Sequence, residues 1–206
     1  MPAQSVEIKT RNLSPEDEAR LIEICYLTGT TVLDKYLFAL RWCLYYLWYE
    51  AENSFAAVDT ASGQVVGYIL GTLETAAQEA HFRQVVVPKI KTYWRSSHRK
   101  TLRTWAAYRA LLRTTDSSLF HDLYAQYPAH LHINTHPDHQ RKGIGHKLIQ
   151  AYEANLMARG VPGYHLLVGG DNEIGIAFYR KLGLTELKKV PPAGKSLVIA
   201  FGKTFK

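Results

Sequence analysis

The chain has 206 residues, 47% apolar and 21% charged, with a formal net charge of +7. That length can bury a sizeable core, and the composition is that of an ordinary globular protein. There is no apolar run of about 20 residues and no apolar leader core, so no transmembrane helix, secretory signal or membrane partner is expected.

Val6 and Ile8 suggest a first strand. The stretch 13-LSPEDEARLIEICYLTG-29 reads as a helix. Ser14 can cap it, Pro15 fits its first position, and Glu16 and Asp17 suit its positive end. The stretch 34-DKYLFALRWCLYYLWYEAE-52 reads as one helix, apolar almost all round. It can pack on two sides, wall a ligand, or form a homodimer contact. Cys25 and Cys43, the only cysteines, fall in these helical patterns. They read as core thiols rather than a disulfide framework. A reducing compartment follows, cytoplasmic, or the nucleus in a eukaryote.

Phe55 to Val58 and Val65 to Leu70 read as the strands of a hairpin, with its turn at Thr60 to Gly63. Glu74 to Tyr127 is long and mostly helical in pattern. It holds the local charge excess: Arg83, Lys89, Lys91, Arg95, Arg99, Lys100, Arg103, Arg109 and Arg113, with no Asp or Glu between Arg83 and Arg113. Such a block attracts nucleic acid, anionic lipid or a phosphorylated small molecule, and charge alone does not choose among them. Tyr93, Trp94, Trp105 and Tyr108 lie among the cations. They either bind bases or sugars or anchor amphipathic helices. With no DNA- or RNA-reading motif beside them, nucleic acid is not the expected partner.

The stretch 130-HLHINTHP-137 alternates. In a strand, Leu131 and Ile133 point one way and His130, His132 and Asn134 the other. Leu148, Ile149, Tyr152 and Leu156 then recur at helical spacing up to Gly160. Tyr164 to Gly169 suggests a buried strand, and Gly175 to Gly183 a short helix. Leu184 to Leu187 and Ser196 to Phe201 complete the sheet. The order is mixed α/β. One domain is expected over 1–206, with a helical insert at about 74–127.

Between the central strand and its helix lies 140-QRKGIG-145. A helix start has unpaired amides and a partial positive charge. Gly143 and Gly145 let an anion approach those amides, and Arg141 and Lys142 add charge. A phosphate or pyrophosphate fits there; a plain helix-start turn is the other reading. The stretch matches neither the G-x-x-x-x-G-K-[ST] phosphate loop nor G-x-G-x-x-G.

This stretch resembles the acyl-CoA-binding motif Q/R-x-x-G-x-G/A of the GNAT superfamily of N-acetyltransferases, and Pro137 fits the proline common before it. Downstream, 172-NEIGIAFYRKLGL-184 resembles the family pattern N-x-x-A-x-x-F/L-Y-x-x-x-G-F, with Gly175 for the alanine and Leu184 for the final phenylalanine. The stretches 68-YILGT-72 and 127-YPAHLHIN-134 resemble a branch that includes bacterial GNAT proteins and the acetyltransferase-like domain of eukaryotic O-GlcNAc hydrolase. Some members of that branch bind acetyl-CoA poorly or lack activity.

The resemblance implies a GNAT fold, acetyl-CoA as cosubstrate and an amine acceptor, either a small molecule such as an amino sugar or a protein lysine. It implies that the central strand splays from its neighbour and that backbone groups of Ile133 to Thr135 bind the pantetheine arm, with the Ile133 amide polarising the acetyl carbonyl. The loop Gln140, Arg141, Lys142, Gly143, Ile144 and Gly145 would hold the pyrophosphate. Tyr179 matches the tyrosine that protonates the leaving thiolate. Asn172 either bonds the pantetheine arm or caps the next helix. Phe178 is core or a wall beside the cofactor. Asn134 stands where many relatives carry aspartate; it can orient an amine or water but cannot be a base. His132 is a candidate base, and water without a dedicated protein base is the alternative. His130, His132 and His136 lack a further ligand at metal spacing, so no metal is expected. A catalytically weak CoA-binding or protein-interaction module is the second functional reading.

Overall fold

The computed structural model describes residues 7–29, 31–97, 101–113, 118–191 and 197–205. Val6, Arg99, Lys100 and Ser196 lie outside the described residues. The strands are β1 (Ile8–Asn12), β2 (Phe55–Asp59), β3 (Val65–Thr72), β4 (Ala129–Thr135), β5 (Gly163–Gly169), β6 (Thr185–Val190) and β7 (Val198–Thr204). The helices are α1 (Glu18–Thr28), α2 (Lys35–Trp42), α3 (Leu44–Tyr49), α4 (Thr75–Ser96), α5 (Leu102–Arg113), α6 (Ile144–Ala158) and α7 (Glu173–Lys181).

The strands form one seven-stranded sheet in the order β1-β2-β3-β4-β5-β7-β6. All neighbours are antiparallel except β4 and β5. Two apolar layers cover the sheet. One joins α1 to α5 through Leu21, Leu37, Leu44, Phe82, Ile90 and Leu111. The other joins α6 and α7 to the opposite face through Ile144, Leu148, Tyr152, Tyr164, Ile176 and Phe201. β4 feeds both, because alternate side chains leave opposite faces of a strand. Leu131 and Ile133 lie in the α6–α7 layer, and the rings of His130 and His132 meet Tyr46 of α3 on the other side.

The start of α1 follows from local chemistry. A 3₁₀ turn at Pro15–Asp17 precedes it. The Ser14 amide donates to the Asp17 carboxylate at 2.8 Å. Arg11 holds that carboxylate from the other side with bonds of 2.7 and 2.6 Å.

The expectation of one helix over 34–52 needs correcting. The chain breaks at Cys43, with φ −138° and ψ −36°, into α2 and α3. The break lets an all-round apolar segment bury different faces against different neighbours. Leu37, Ala39 and Leu40 are buried on α2, and Leu44 to Leu47 on α3. The Cys43 thiol lies beside the Cys25 thiol of α1, and that neighbour together with burial raises its pKa well above the ordinary thiol value. Both cysteines are buried and unbridged, as expected for core thiols.

The insert is a pair of amphipathic helices. Phe82, Val86, Ile90 and Trp94 repeat every fourth residue on α4 and are all buried. Trp94 stacks on Tyr108 of α5 at 4.5 Å and 6°. Tyr93 donates to Asp34 at 3.1 Å. These aromatics anchor the helices; of the four singled out in the sequence, Trp105 alone is an exposed one. Pro88 sits inside α4, on an exposed position with Gln84, so the carbonyl it leaves unbonded faces water.

Candidate active site

β4 and β5 pair only at Ala129–Tyr164 and His130–His165. Beyond His130 the strands part, while β4 stays paired to β3 through Thr135, and β5 to β7 through Gly169. A gap therefore opens in the sheet from Leu131 onward. The His136 amide donates to the Val66 carbonyl of β3 at 2.8 Å. Antiparallel backbone groups alternate in direction, so those of Asn134 and His132 also face β3. Those of Thr135 and Ile133 face the gap. This is a strand edge ready to pair with an extended ligand.

The Gln140 side chain reaches this edge and donates to the Thr135 carbonyl at 3.2 Å. Next comes a turn with two left-handed residues, Arg141 at φ 60° and Gly143 at φ 78°. Alternating handedness gathers successive amides into a concavity that attracts anions. α6 begins at Ile144 with Gly143 as its N-cap and no side-chain cap. Among the described residues, nothing accepts a hydrogen bond from the amides of Arg141 to His146. Space around Gly143 is open: an added Cβ would meet nothing within 4 Å. Arg141 and Lys142 are exposed beside the turn, and the Lys142 ammonium donates to the Asp138 carbonyl at 2.9 Å. The Ile144 side chain is buried, leaving its amide as the group a ligand can use.

Gly145 has a different reason. An added Cβ there would lie 2.9 Å from Cζ of Phe178, so the glycine lets α7 pack against the start of α6. Asn172 caps α7, its side-chain oxygen accepting from the Gly175 amide at 2.9 Å. A Cβ on residue 175 would come within 2.8 Å of the Asn172 amide nitrogen. Of the two roles open for Asn172, the cap is formed, and its Nδ2 is left to donate elsewhere.

Tyr179 follows Phe178 on α7. Its ring packs on Phe201 of β7, with centroids 5.8 Å apart. Its hydroxyl has no hydrogen-bond partner among the described residues. Burial pushes its pKa up to about 12, so it holds its proton throughout the neutral range.

On the opposite sheet face, Asn134 donates to the Tyr68 hydroxyl at 2.9 Å. The His132 ring meets Trp42 and Tyr46 edge-on at 5.7 and 5.6 Å. Arg41 lies over Trp42 at 4.3 Å. Burial, then the positive charge of Arg41 and the neighbouring His165, lower His132 to about 4. It is therefore neutral, and a weak base, at neutral pH.

His130 has a fixed tautomer. The Thr75 hydroxyl gives its proton to the Pro128 carbonyl at 2.6 Å, so it accepts from His130 Nδ1 at 2.9 Å. His130 Nε2 then accepts from the Tyr46 hydroxyl at 2.6 Å. Both ring nitrogens are used, and burial holds its pKa well below the usual histidine range. The spacing of the histidines shows neither this bond pair nor the role of Tyr46, which is supplied from α3. No group of residues among those described could hold a metal ion.

A mixed sheet parted at its centre, with an anion-ready turn beside the gap, defines the class of N-acetyltransferase folds. The chain belongs to the acetyltransferase (GNAT) family, whose sequence model matches residues 21–184. An acetyltransferase of Sodalis glossinidius is 39% identical over a segment covering 32% of this chain and 47% of that protein. One of Pectobacterium atrosepticum is 43% identical over 25% of this chain and 36% of that protein. The matches thus span about half the length of these curated relatives or less. Among solved structures, SsHAT superposes with a TM-score of 0.81 at 29% identity, covering 96% of this chain and 98% of its own. The protein yncA of Salmonella typhimurium, solved with its cofactor acetyl-CoA, shares the fold at a TM-score of 0.55 and 18% identity, covering 96% of this chain and 94% of its own.

Proposed function

We propose that the chain is an acetyl-CoA-dependent N-acetyltransferase that passes acetyl to a primary amine by direct attack. The observation that carries this reading is the meeting of a free β4 edge with the unpartnered amides of Arg141 to His146. We read the chain as one domain, with α4 and α5 as its insert.

Bound acetyl-CoA supplies an activated acetyl group as a thioester. The turn amides, with Arg141 and Lys142, hold its pyrophosphate. Backbone groups of Ile133 and Thr135 pair with the pantetheine arm, and Gln140 releases the Thr135 carbonyl to it. The Ile133 amide polarises the acetyl carbonyl. Asn172 Nδ2 donates to the arm while Oδ1 keeps its cap, and Phe178 walls the cofactor. Tyr179 holds the proton that the leaving thiolate takes. The amine enters from the face of Trp42, Asn134 and His132, which orient it, and loses its proton to water. An amino sugar or a protein lysine is the acceptor class.

One observation favours the second reading, a catalytically weak CoA-binding or partner-binding module. His132 is lowered to about 4, and Asn134 does not ionise, so neither is an effective base at neutral pH. Thiol release from acetyl-CoA, measured over amino sugars and lysine peptides, separates the two. Amine-dependent release above the hydrolysis rate supports the enzyme; cofactor binding without turnover on the whole panel selects the module.

A further inference from the structure

The outer face of α5 departs from the pattern of a surface helix. Its inner residues Ala107, Tyr108, Leu111 and Leu112 pack on the α1–α4 layer, so its opposite face should be polar. Instead that face begins with Leu102 and Trp105, neighbours at i,i+3 spacing, 84% and 46% exposed. Arg103 and Arg109 are exposed beside them. The Arg109 guanidinium lies 4.8 Å over the Trp105 ring. The sequence from Arg83 to Arg113 contains no acidic residue.

We propose that this face of α5 docks on an anionic lipid surface. Leu102 and Trp105 enter the boundary between headgroups and acyl chains, and Arg103 and Arg109 meet the anionic headgroups. The charge fixes the sign of the partner, because an acid-free basic block is drawn to negative surfaces. The apolar pair fixes its nature. A strand of nucleic acid would need an open aromatic face on which to stack a base. Arg109 already covers one face of Trp105, and Leu102 offers none, so a base would find a single half-exposed ring rather than a row of stacking platforms. A lipid interface accommodates both an aliphatic side chain and an indole with its cation. The Trp94–Tyr108 stack holds α5 on α4, so the face is presented without first having to be ordered. Hydropathy excludes only a spanning helix, and α5 lies on the surface. The proposal is independent of the acetyltransferase reading.

The test is sedimentation of the full chain with vesicles of phosphatidylcholine alone, or with about one-third phosphatidylserine, at about 0.1 M salt. Binding to the anionic vesicles should exceed binding to the neutral ones by about tenfold and weaken as salt rises. The double variants Leu102→Ser with Trp105→Ser, and Arg103→Glu with Arg109→Glu, should each lose about tenfold. Circular dichroism checks that both remain folded. Absence of binding to anionic vesicles overturns the proposal, as does equal binding to both vesicle types or unchanged binding of folded variants. Tighter binding to a single-stranded oligonucleotide than to anionic vesicles overturns it in favour of nucleic acid.

Discussion

Arg141 carries a side chain at φ 60°, a conformation that disfavours most L-residues. Strain of about 1 kcal/mol at such a position is a mark of a working site. Arg141→Gly should therefore leave stability equal or higher, by up to about 1 kcal/mol, while weakening CoA affinity through the lost charge. Denaturant titration and calorimetry read the two effects separately, and a loss of stability with intact affinity would make Arg141 structural. Gly143→Asp puts bulk and negative charge where an anion would sit, and should weaken CoA binding by at least about tenfold. Unchanged affinity in the folded variant would remove the turn from the site. Tyr179→Phe should lower turnover by about tenfold or more with little change in CoA affinity. Its stability should stay within about 0.5 kcal/mol, since the lost hydroxyl makes no hydrogen bond. With Tyr179 near 12 and His132 near 4, neither should set a limb of the kcat/KM profile near neutrality. The profile should follow ionisation of the acceptor amine, and a limb abolished by His132→Gln would restore His132 as base.

At the scale of elements, the parting of β4 from β5 makes the site, and the contact of α6 with α7 keeps its walls in register. Gly145→Ala would bring a methyl to 2.9 Å from the Phe178 ring. It should cost about 1–3 kcal/mol, measured by denaturant titration, and Phe178→Leu should recover part of that loss in the double variant. Additive losses would mean that the two side chains do not meet. Most elements were legible in the sequence because each carries its own signal. The alternation from His130 to Asn134, the hairpin turn at Thr60 to Gly63 and the spacing of Leu148, Tyr152 and Leu156 are local patterns. The break at Cys43 was not legible, because the apolar pattern from Asp34 to Glu52 runs across it with no glycine or proline to mark it. The tautomer of His130 was not legible either: one strand shows that it faces away from Leu131, but Tyr46 and Thr75 fix its proton only after folding.

At the scale of the molecule, three histidines set a pH dependence. Burial comes first in lowering His130, His132 and His165 below the ordinary histidine range. The unfolded chain binds protons on them near pH 6.5, whereas folded His132 does so only near 4. Stability should therefore be complete above about pH 6.5 and fall as pH drops toward 4. Replacing His132 by Gln should flatten that fall in denaturant titrations across this window; an unchanged slope would show that His132 titrates alike in both states. The local charge excess lies in the insert, so its attraction to an anionic surface should weaken as salt rises. The most direct test of the site is calorimetric titration of the purified chain with acetyl-CoA, with free CoA alongside. Saturable binding in the micromolar range, lost in folded Gly143→Asp, is the expected result. No heat from either ligand up to millimolar concentration would mean that the parted strands and the open turn belong to the fold alone.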